Sequence, residues 1–179
     1  MKKITATILF TLGIIFTIIA QDPKIDNNSK PAKTFFGELG GNGIGFSANF
    51  DSRFAKSEKG FGYRIGLGFF PSIDLLIIKS SSILAIPFSI NHLAGKGPSY
   101  FESGLGVTFV SGSVGPGSLF EGWTDGTTEH GNGLAFIPSI GYRYAAFEKK
   151  GIVARFTVCP IIAAGTSTFW IGISGGLKL

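Results

Sequence analysis

Hydrophobic residues alternate with small or polar ones along much of the chain, with a period of two. The stretch GFGYRIGLGFFPS (residues 60–72) shows the pattern: Phe61 and Tyr63 share one parity, whereas Gly62 and Arg64 share the other. Because successive side chains of a β-strand point to opposite faces, this alternation predicts a strand with one apolar face and one nearly bare face.

The alternation recurs in further segments, and no window after residue 33 has helical periodicity. The strands predicted besides 60–72 are 33–40, 44–54, a segment ending near 93, 99–111, 133–147, 151–163 and 168–178. We expect GGNG (40–43) to be a hairpin turn, and we expect four side chains of the second strand to face outwards: Ile44, Phe46, Ala48 and Phe50. An alternative divides 72–93 into two strands about KSSS.

The residues on the second, non-hydrophobic face of each strand distinguish a soluble barrel from a membrane barrel. A soluble barrel is polar outside, and its outer face is rich in Lys, Glu and Thr; here that parity is mostly Gly, Ser and Ala with isolated charges. The connections also vary in length: 95–98 and 148–151 are short, 72–82 is intermediate and 112–132 is long. Short periplasmic turns and longer extracellular loops are typical of membrane barrels, so we predict an apolar face towards lipid.

Composition and the N-terminal segment support export. Only 15% of the residues are charged and 13% are aromatic, which is unusual for a water-facing surface. Two lysines precede an apolar run in residues 1–20, which predicts a cleaved signal peptide, with an uncleaved anchor as the alternative. A flexible lead-in at 21–32 would follow, and the barrel domain would span 33–179. The net charge of +5 is scattered without a basic stripe, so we predict no nucleic-acid binding.

With these features, the chain resembles the small eight-stranded outer-membrane β-barrels of Gram-negative bacteria over about residues 33–179. The resemblance implies an all-β, closed antiparallel transmembrane β-barrel with up-and-down topology, located in the outer membrane as a monomer surrounded by lipid. The chain ends in Leu179, whereas such barrels commonly end in an aromatic residue. Eight strands leave room for side chains but not for a wide channel, so a structural or interaction role is the leading functional prediction.

Charged residues on the inward parity are predicted to form a charge belt in the lower part of the lumen. Its members are Arg64, Arg143, Arg155, Glu38, Asp51 and Glu102, with Asn91 at the same level. An unpaired ion in a narrow lumen costs several kcal/mol, which favours pairing of these opposite charges. The alternative is a set of separate charges at solvent-filled ends.

Three prolines and one long loop carry further expectations. Pro87, Pro138 and Pro160 are predicted near the extracellular rim, where we expect bulges or an end of regular pairing because proline lacks a ladder donor. In the loop 112–132, Phe120 and Trp123 are candidate contacts for an unknown protein or surface ligand.

Catalytic and metal-binding patterns are weak, and we predict no enzyme activity, no cofactor and no metal. GISGG matches a nucleophile-elbow pattern, but no histidine follows Ser174. DGTTEH, which ends at His130, matches no known cage. One alternative function is a lipid-modifying outer-membrane enzyme. Its candidate catalytic residues are His92 and the nearby Ser89, although the two fall on opposite faces of the strand. The other is a soluble periplasmic barrel that binds a small ligand.

Overall fold

A computed structural model describes residues 31–71, 83–113, 130–146, 151–163 and 166–179. The predicted signal peptide, most of the lead-in, and the loop residues Phe120 and Trp123 lie outside these ranges. Within the described ranges, no helix is long and apolar enough to cross a membrane.

Eight antiparallel strands form one closed barrel. The strands are Lys33–Gly40 (β1), Phe46–Arg53 (β2), Gly60–Phe70 (β3), Ile83–Lys96 (β4), Ser99–Ser113 (β5), His130–Ala145 (β6), Ile152–Ala163 (β7) and Thr166–Lys178 (β8). Each strand pairs with the next along the chain, and β8 pairs with β1 to close the sheet. The predicted up-and-down barrel of eight strands is therefore confirmed. Residues 83–93 belong to a single strand, and 72–82 lie outside the described residues.

The barrel has two ends with different connections. We call lower the end that carries Lys33, Lys178 and the connections 54–59, 97–98 and 146–151, and upper the opposite end. The upper connections are 41–45, 71–82, 114–129 and 164–165. The two longest connections, 71–82 and 114–129, are at the upper end, as expected. The other two upper connections, 41–45 and 164–165, are shorter than the lower connections 54–59 and 146–151, so the expected difference between the two ends holds only in part.

Side chains alternate between the lumen and the outer face along each strand, as the sequence pattern predicts. Most of the outward residues are apolar and many are large; Leu105, Leu134 and Phe169 are 62%, 66% and 74% exposed. The aromatic residues expected on the outside do point outwards: Phe61, Phe101, Tyr142, Tyr144, Phe69, Phe109, Phe136 and Phe169 are exposed, and Phe50 and Tyr63 are half-buried.

The connection between β1 and β2 closes the predicted antiparallel hairpin, but it folds inwards instead of continuing the wall. Residues 41–45, which we call the lumen segment, fold into the barrel interior, where Gly41–Gly43 form a turn of 3-10 helix and all five residues are buried. Ile44, predicted to face outwards, is fully buried and has a φ of 69°, a region that β-branched residues rarely adopt. Its backbone turns the chain back from the lumen to β2.

The three prolines interrupt pairing on one side without producing a bulge. Between β6 and β7 the pairs stop at Phe136–Ile162 and resume at Ile140–Val158, so Pro138 and Pro160 stand opposite each other. Pro87 falls in a similar gap between β3 and β4. The register is the same on both sides of each gap. These gaps agree with the expected end of regular pairing on one side of each proline, whereas a bulge is absent from these strands. Pro138 lies in the middle of β6 rather than near the rim.

Glycines that face the lumen make room for large side chains on neighbouring strands. A substitution at such a glycine should therefore destabilise the barrel more than the same substitution at a glycine on the outer face. A Cβ added to Gly66 would lie 2.3 Å from Oδ1 of Asn49, whereas one added to Gly175, on the outer face, would meet nothing within 4 Å. We expect Gly66→Val to lower the free energy of unfolding by about 1–3 kcal/mol through overpacking. Urea unfolding in lipid vesicles measures it, and Gly175→Val is the matched control. Equal losses in the two variants would contradict this packing.

Candidate functional site

The interior charges sit at positions where the sheet provides space for them. Inward glycines stand directly opposite large polar side chains in the strand register: Gly62 opposite Arg53, Gly66 opposite Asn49, Gly104 opposite Asn91, and Gly141 opposite Glu102. A Cβ at Gly62 would lie 2.3 Å from Cζ of Arg53. Glycine on one strand therefore permits an arginine or carboxylate on the next, and this is how a narrow lumen holds so many charged groups.

Seven buried charged residues form one alternating series of ion pairs, which we call the charge chain. In order of contact it consists of Arg64, Glu38, Arg155, Glu102, Arg143, Asp51 and Arg53. All seven residues are at most 4% exposed. The structure thus brings together all six members of the predicted belt and adds Arg53.

Glu102 occupies the centre of the charge chain. Arg143 and Arg155 face each other directly between β6 and β7, an arrangement of like charges that is unfavourable by itself. Arg143 donates from Nε to Glu102 Oε2 over 2.9 Å, and Arg155 donates from Nη2 to Glu102 Oε1 over 2.7 Å. The carboxylate of Glu102 is therefore a counter-charge that both guanidinium groups share.

Asp51 links the centre of the charge chain to one of its ends. Arg143 donates through Nη2 to Asp51 Oδ2 over 3.0 Å, and Arg53 donates through Nη2 to Asp51 Oδ1 over 2.7 Å. Asn91 connects these groups, because its Nδ2 donates to Asp51 over 2.7 Å and to Glu102 over 3.2 Å while its Oδ1 accepts from Arg53. Arg53 also donates through Nη1 to the carbonyl of Gly60.

Glu38 links the centre to the other end. It pairs with Arg64 and lies 3.5 Å from Nη1 of Arg155. Ser174 stands between the last two, accepting from Arg155 and donating to Glu38. Arg64 donates from Nε to Oδ1 of Asn49, and the buried ring of Phe36 lies 5.2 Å from the Arg64 guanidinium carbon.

Arg53 is the member of this network that sequence reasoning missed. It lies two residues after Asp51 on β2 and therefore has the same inward parity. The missed signal is this parity, since the predicted strand 44–54 already contains Arg53 but only Asp51 was placed in the charge belt. With Arg53 and the polar residues Asn91 and Ser174, every strand of the barrel contributes at least one side chain to the network.

Apolar clusters lie above and below the charge chain. The upper cluster contains the buried side chains of Ile44, Phe70, Ile83, Ala85, Val110, Ala135, Ile137, Cys159, Ile161 and Ala163, with Trp170 packed against it. The lower cluster contains Leu93, Tyr100, Ala145 and Val153. The sequence-based expectation of a small and polar interior is therefore too simple, because the inward parity of the upper strand ends is largely apolar.

The lumen segment is fixed to opposite sides of the barrel wall. Thr108 on β5 donates through its hydroxyl to the carbonyl of Asn42 over 2.8 Å, and Trp170 on β8 donates through Nε1 to the carbonyl of Ile44 over 3.0 Å. The turn Gly41–Gly43 contacts β1, β3, β4, β5, β7 and β8. These contacts hold the segment against Glu38 of the charge chain, since a Cβ on Gly41 would lie 2.5 Å from the Glu38 carboxyl carbon.

The residues considered for catalysis do not assemble. Ser174 lies within β8, buried and bonded to the charge chain, with no strand-to-helix turn. Ser89 points into the lumen, whereas His92 points outwards and packs against Phe61 with 4.8 Å between ring centroids. His130 is the first residue of β6 rather than a loop residue. The rest of DGTTEH lies outside the described residues.

Solved structures include barrels with the same fold. The chain matches the N-terminal β-barrel domain of Pseudomonas aeruginosa OprF with a TM-score of 0.56 and 8% sequence identity, over 83% of this chain and 96% of that one. It matches Neisserial surface protein A with a TM-score of 0.48 and 11% identity, over 83% and 94% respectively. No protein-family model and no curated protein matches the sequence. The predicted resemblance to eight-stranded outer-membrane barrels is confirmed at the level of the fold.

Removal of the central carboxylate tests the charge chain. Glu102→Gln keeps the shape of the side chain but leaves Arg143 and Arg155 opposite each other without their shared counter-charge. We expect the free energy of unfolding to fall by about 3–5 kcal/mol, as for other broken buried pairs. Urea unfolding in lipid vesicles provides the measurement.

The matched control is Glu58→Gln, which removes an ion pair with Lys178 in which the glutamate side chain is 37% exposed. A partly exposed pair is worth about 0–1 kcal/mol, so this variant should remain close to the parent protein. If both variants lose the same stability, Glu102 does not have the central role described here.

Proposed function

We propose that this chain is an outer-membrane β-barrel whose lumen is closed to diffusion, and that it has a structural or interaction role through its extracellular loops. The single observation that carries the closed lumen is the continuous stack of buried side chains from the upper apolar cluster to the lower one, with the charge chain between them. A lumen filled in this way argues against a role as a general diffusion pore.

The outer face supports the membrane location. Large apolar residues cover it on all eight strands, among them Phe35, Phe46, Leu67, Leu105 and Ile171, which are each more than half exposed. Soluble monomers rarely expose contiguous apolar patches larger than a few hundred Å². The pairing of β8 with β1 also leaves no open sheet edge. We therefore propose a lipid-embedded monomer rather than a soluble periplasmic barrel.

The lengths of the connections support the orientation and the role. The longest connection, 114–129, is at the upper end, and longer loops are extracellular in bacterial outer-membrane barrels. This loop contains Phe120 and Trp123, which we propose as contacts for a protein or surface ligand. A predicted signal peptide at residues 1–20 provides the route of export.

Fractionation and conductance test the proposal together. We expect the protein produced in a Gram-negative host to be recovered in the outer-membrane fraction and to migrate faster on a gel when unheated, because the closed barrel resists unfolding. In planar lipid bilayers the purified barrel should give no stable conductance steps. Recovery in the soluble periplasmic fraction would refute the membrane location, and a steady open channel would refute the closed lumen.

Cys159 provides a native reporter of lumen closure. Its side chain faces the interior and is fully buried in the upper cluster. A small charged methanethiosulfonate reagent should therefore react with it at least about 100-fold more slowly in the native barrel than after unfolding, since burial excludes the reagent. The control is Cys159→Ser with Ser57→Cys, which places the thiol in the lower connection. Comparable native rates for the two proteins would show that the upper lumen is open.

A further inference from the structure

We propose that the charge chain holds one small monovalent anion, of the size of chloride, at its Arg53 end. The charge chain alternates strictly and has an arginine at each end, so four guanidinium groups face three carboxylates. Its formal net charge is therefore +1. Each carboxylate contacts two arginines, whereas Arg53 and Arg64 each contact only one carboxylate. The one positive charge in excess is therefore associated with the two terminal arginines, Arg53 and Arg64.

The two ends differ in how well they are compensated. At one end Arg64 lies near the face of the Phe36 ring, a partial counter-charge for a guanidinium, and its Nε donates to Asn49. At the other end, none of the aromatic rings in the described strands stacks on Arg53, and its Nε is buried without a hydrogen-bond partner among the described residues. The end of the charge chain with a single carboxylate partner and no stacked ring is therefore also the end with an unsatisfied donor, and both features belong to Arg53.

The missing partner is an acceptor. Among the described side chains, the buried polar atoms without a hydrogen-bond partner are Arg53 Nε and Asn42 Nδ2, and both are donors. A water molecule would satisfy the Nε–H but would leave the charge of the chain at +1. A small anion satisfies the donor and the charge together, which is the usual requirement for a buried ion. Arg53 lies next to the connection 54–59, so we propose entry from the lower, periplasmic end.

This inference goes beyond the proposed function. A barrel without a bound anion would still be a closed membrane barrel, and an anion site would still exist if the lumen conducted. The experiment therefore measures thermal stability and anion position, neither of which depends on conductance or on loop partners.

The first experiment compares anions at constant ionic strength. The mature protein, folded in an uncharged detergent, is heated in sodium methanesulfonate with increasing replacement by sodium chloride or bromide. We expect a saturable rise in Tm of about 2–4 °C, the shift produced by a ligand at several times its Kd in a domain of this size. Methanesulfonate has the same charge but is larger, so an equal Tm in all three salts would overturn the proposal.

Variants at the two ends of the charge chain locate the effect. Arg53→Gln and Arg64→Gln each remove one positive charge, so they are matched in charge and in side-chain type. We expect the chloride-dependent rise in Tm to disappear in Arg53→Gln and to remain in Arg64→Gln. A rise that persists in Arg53→Gln, or that disappears in both variants, would overturn the assignment to Arg53.

Bromide scattering gives the position in the parent protein, and it remains decisive if a glutamine variant fails to fold. In crystals grown with sodium bromide, an anomalous peak within hydrogen-bond distance of Arg53 Nε is the expected result. Occupation of this position by water, with no anomalous signal, would overturn the proposal. Arg53→Lys, which keeps the charge but lacks Nε, should retain less than half of the Tm rise.

Discussion

The organisation of this barrel depends on neutralising the charges enclosed by its wall. An isolated buried ion is too unfavourable to persist, so every interior arginine requires a carboxylate within reach, and every carboxylate here serves two arginines. Because the partners come from all parts of the sheet, the network links strands that are not neighbours. A shift of one residue along a strand would turn that strand's network side chain towards the outer face and remove it from its partners. The charge chain thereby favours one register over the alternatives.

Much of this arrangement is readable from the sequence because the period of a strand is short and regular. Parity alone assigns Arg64, Arg143 and Arg155 to the interior together with their carboxylate partners. Arg53 is the last residue of β2, and whether a side chain at the end of a strand still faces the lumen depends on pairing with the neighbouring strand rather than on local composition. Strand ends of this kind are decided by pairing across the sheet.

The lumen segment could not be predicted for a different physical reason. GGNG has the composition of an ordinary hairpin turn, and nothing local distinguishes a turn above the rim from one that enters the interior. The space it occupies is created by glycines on distant strands: a Cβ at Gly106 would meet Asn42, and one at Gly172 would meet Gly41. The lumen segment also explains why the inward side chains at the upper strand ends are apolar. They pack against Ile44 rather than against water.

The backbone of Ile44 has a consequence for how the barrel assembles. A left-handed conformation at a β-branched residue is unfavourable by about 1–3 kcal/mol, so contacts made elsewhere must stabilise it. One of these is the bond from Trp170, 126 residues along the chain on the last strand. The other contacts come from five further strands, among them the bond from Thr108 on β5. The native shape of the segment therefore depends on the closed wall as a whole, since no single pair of strands supplies all the contacts that offset the strain at Ile44.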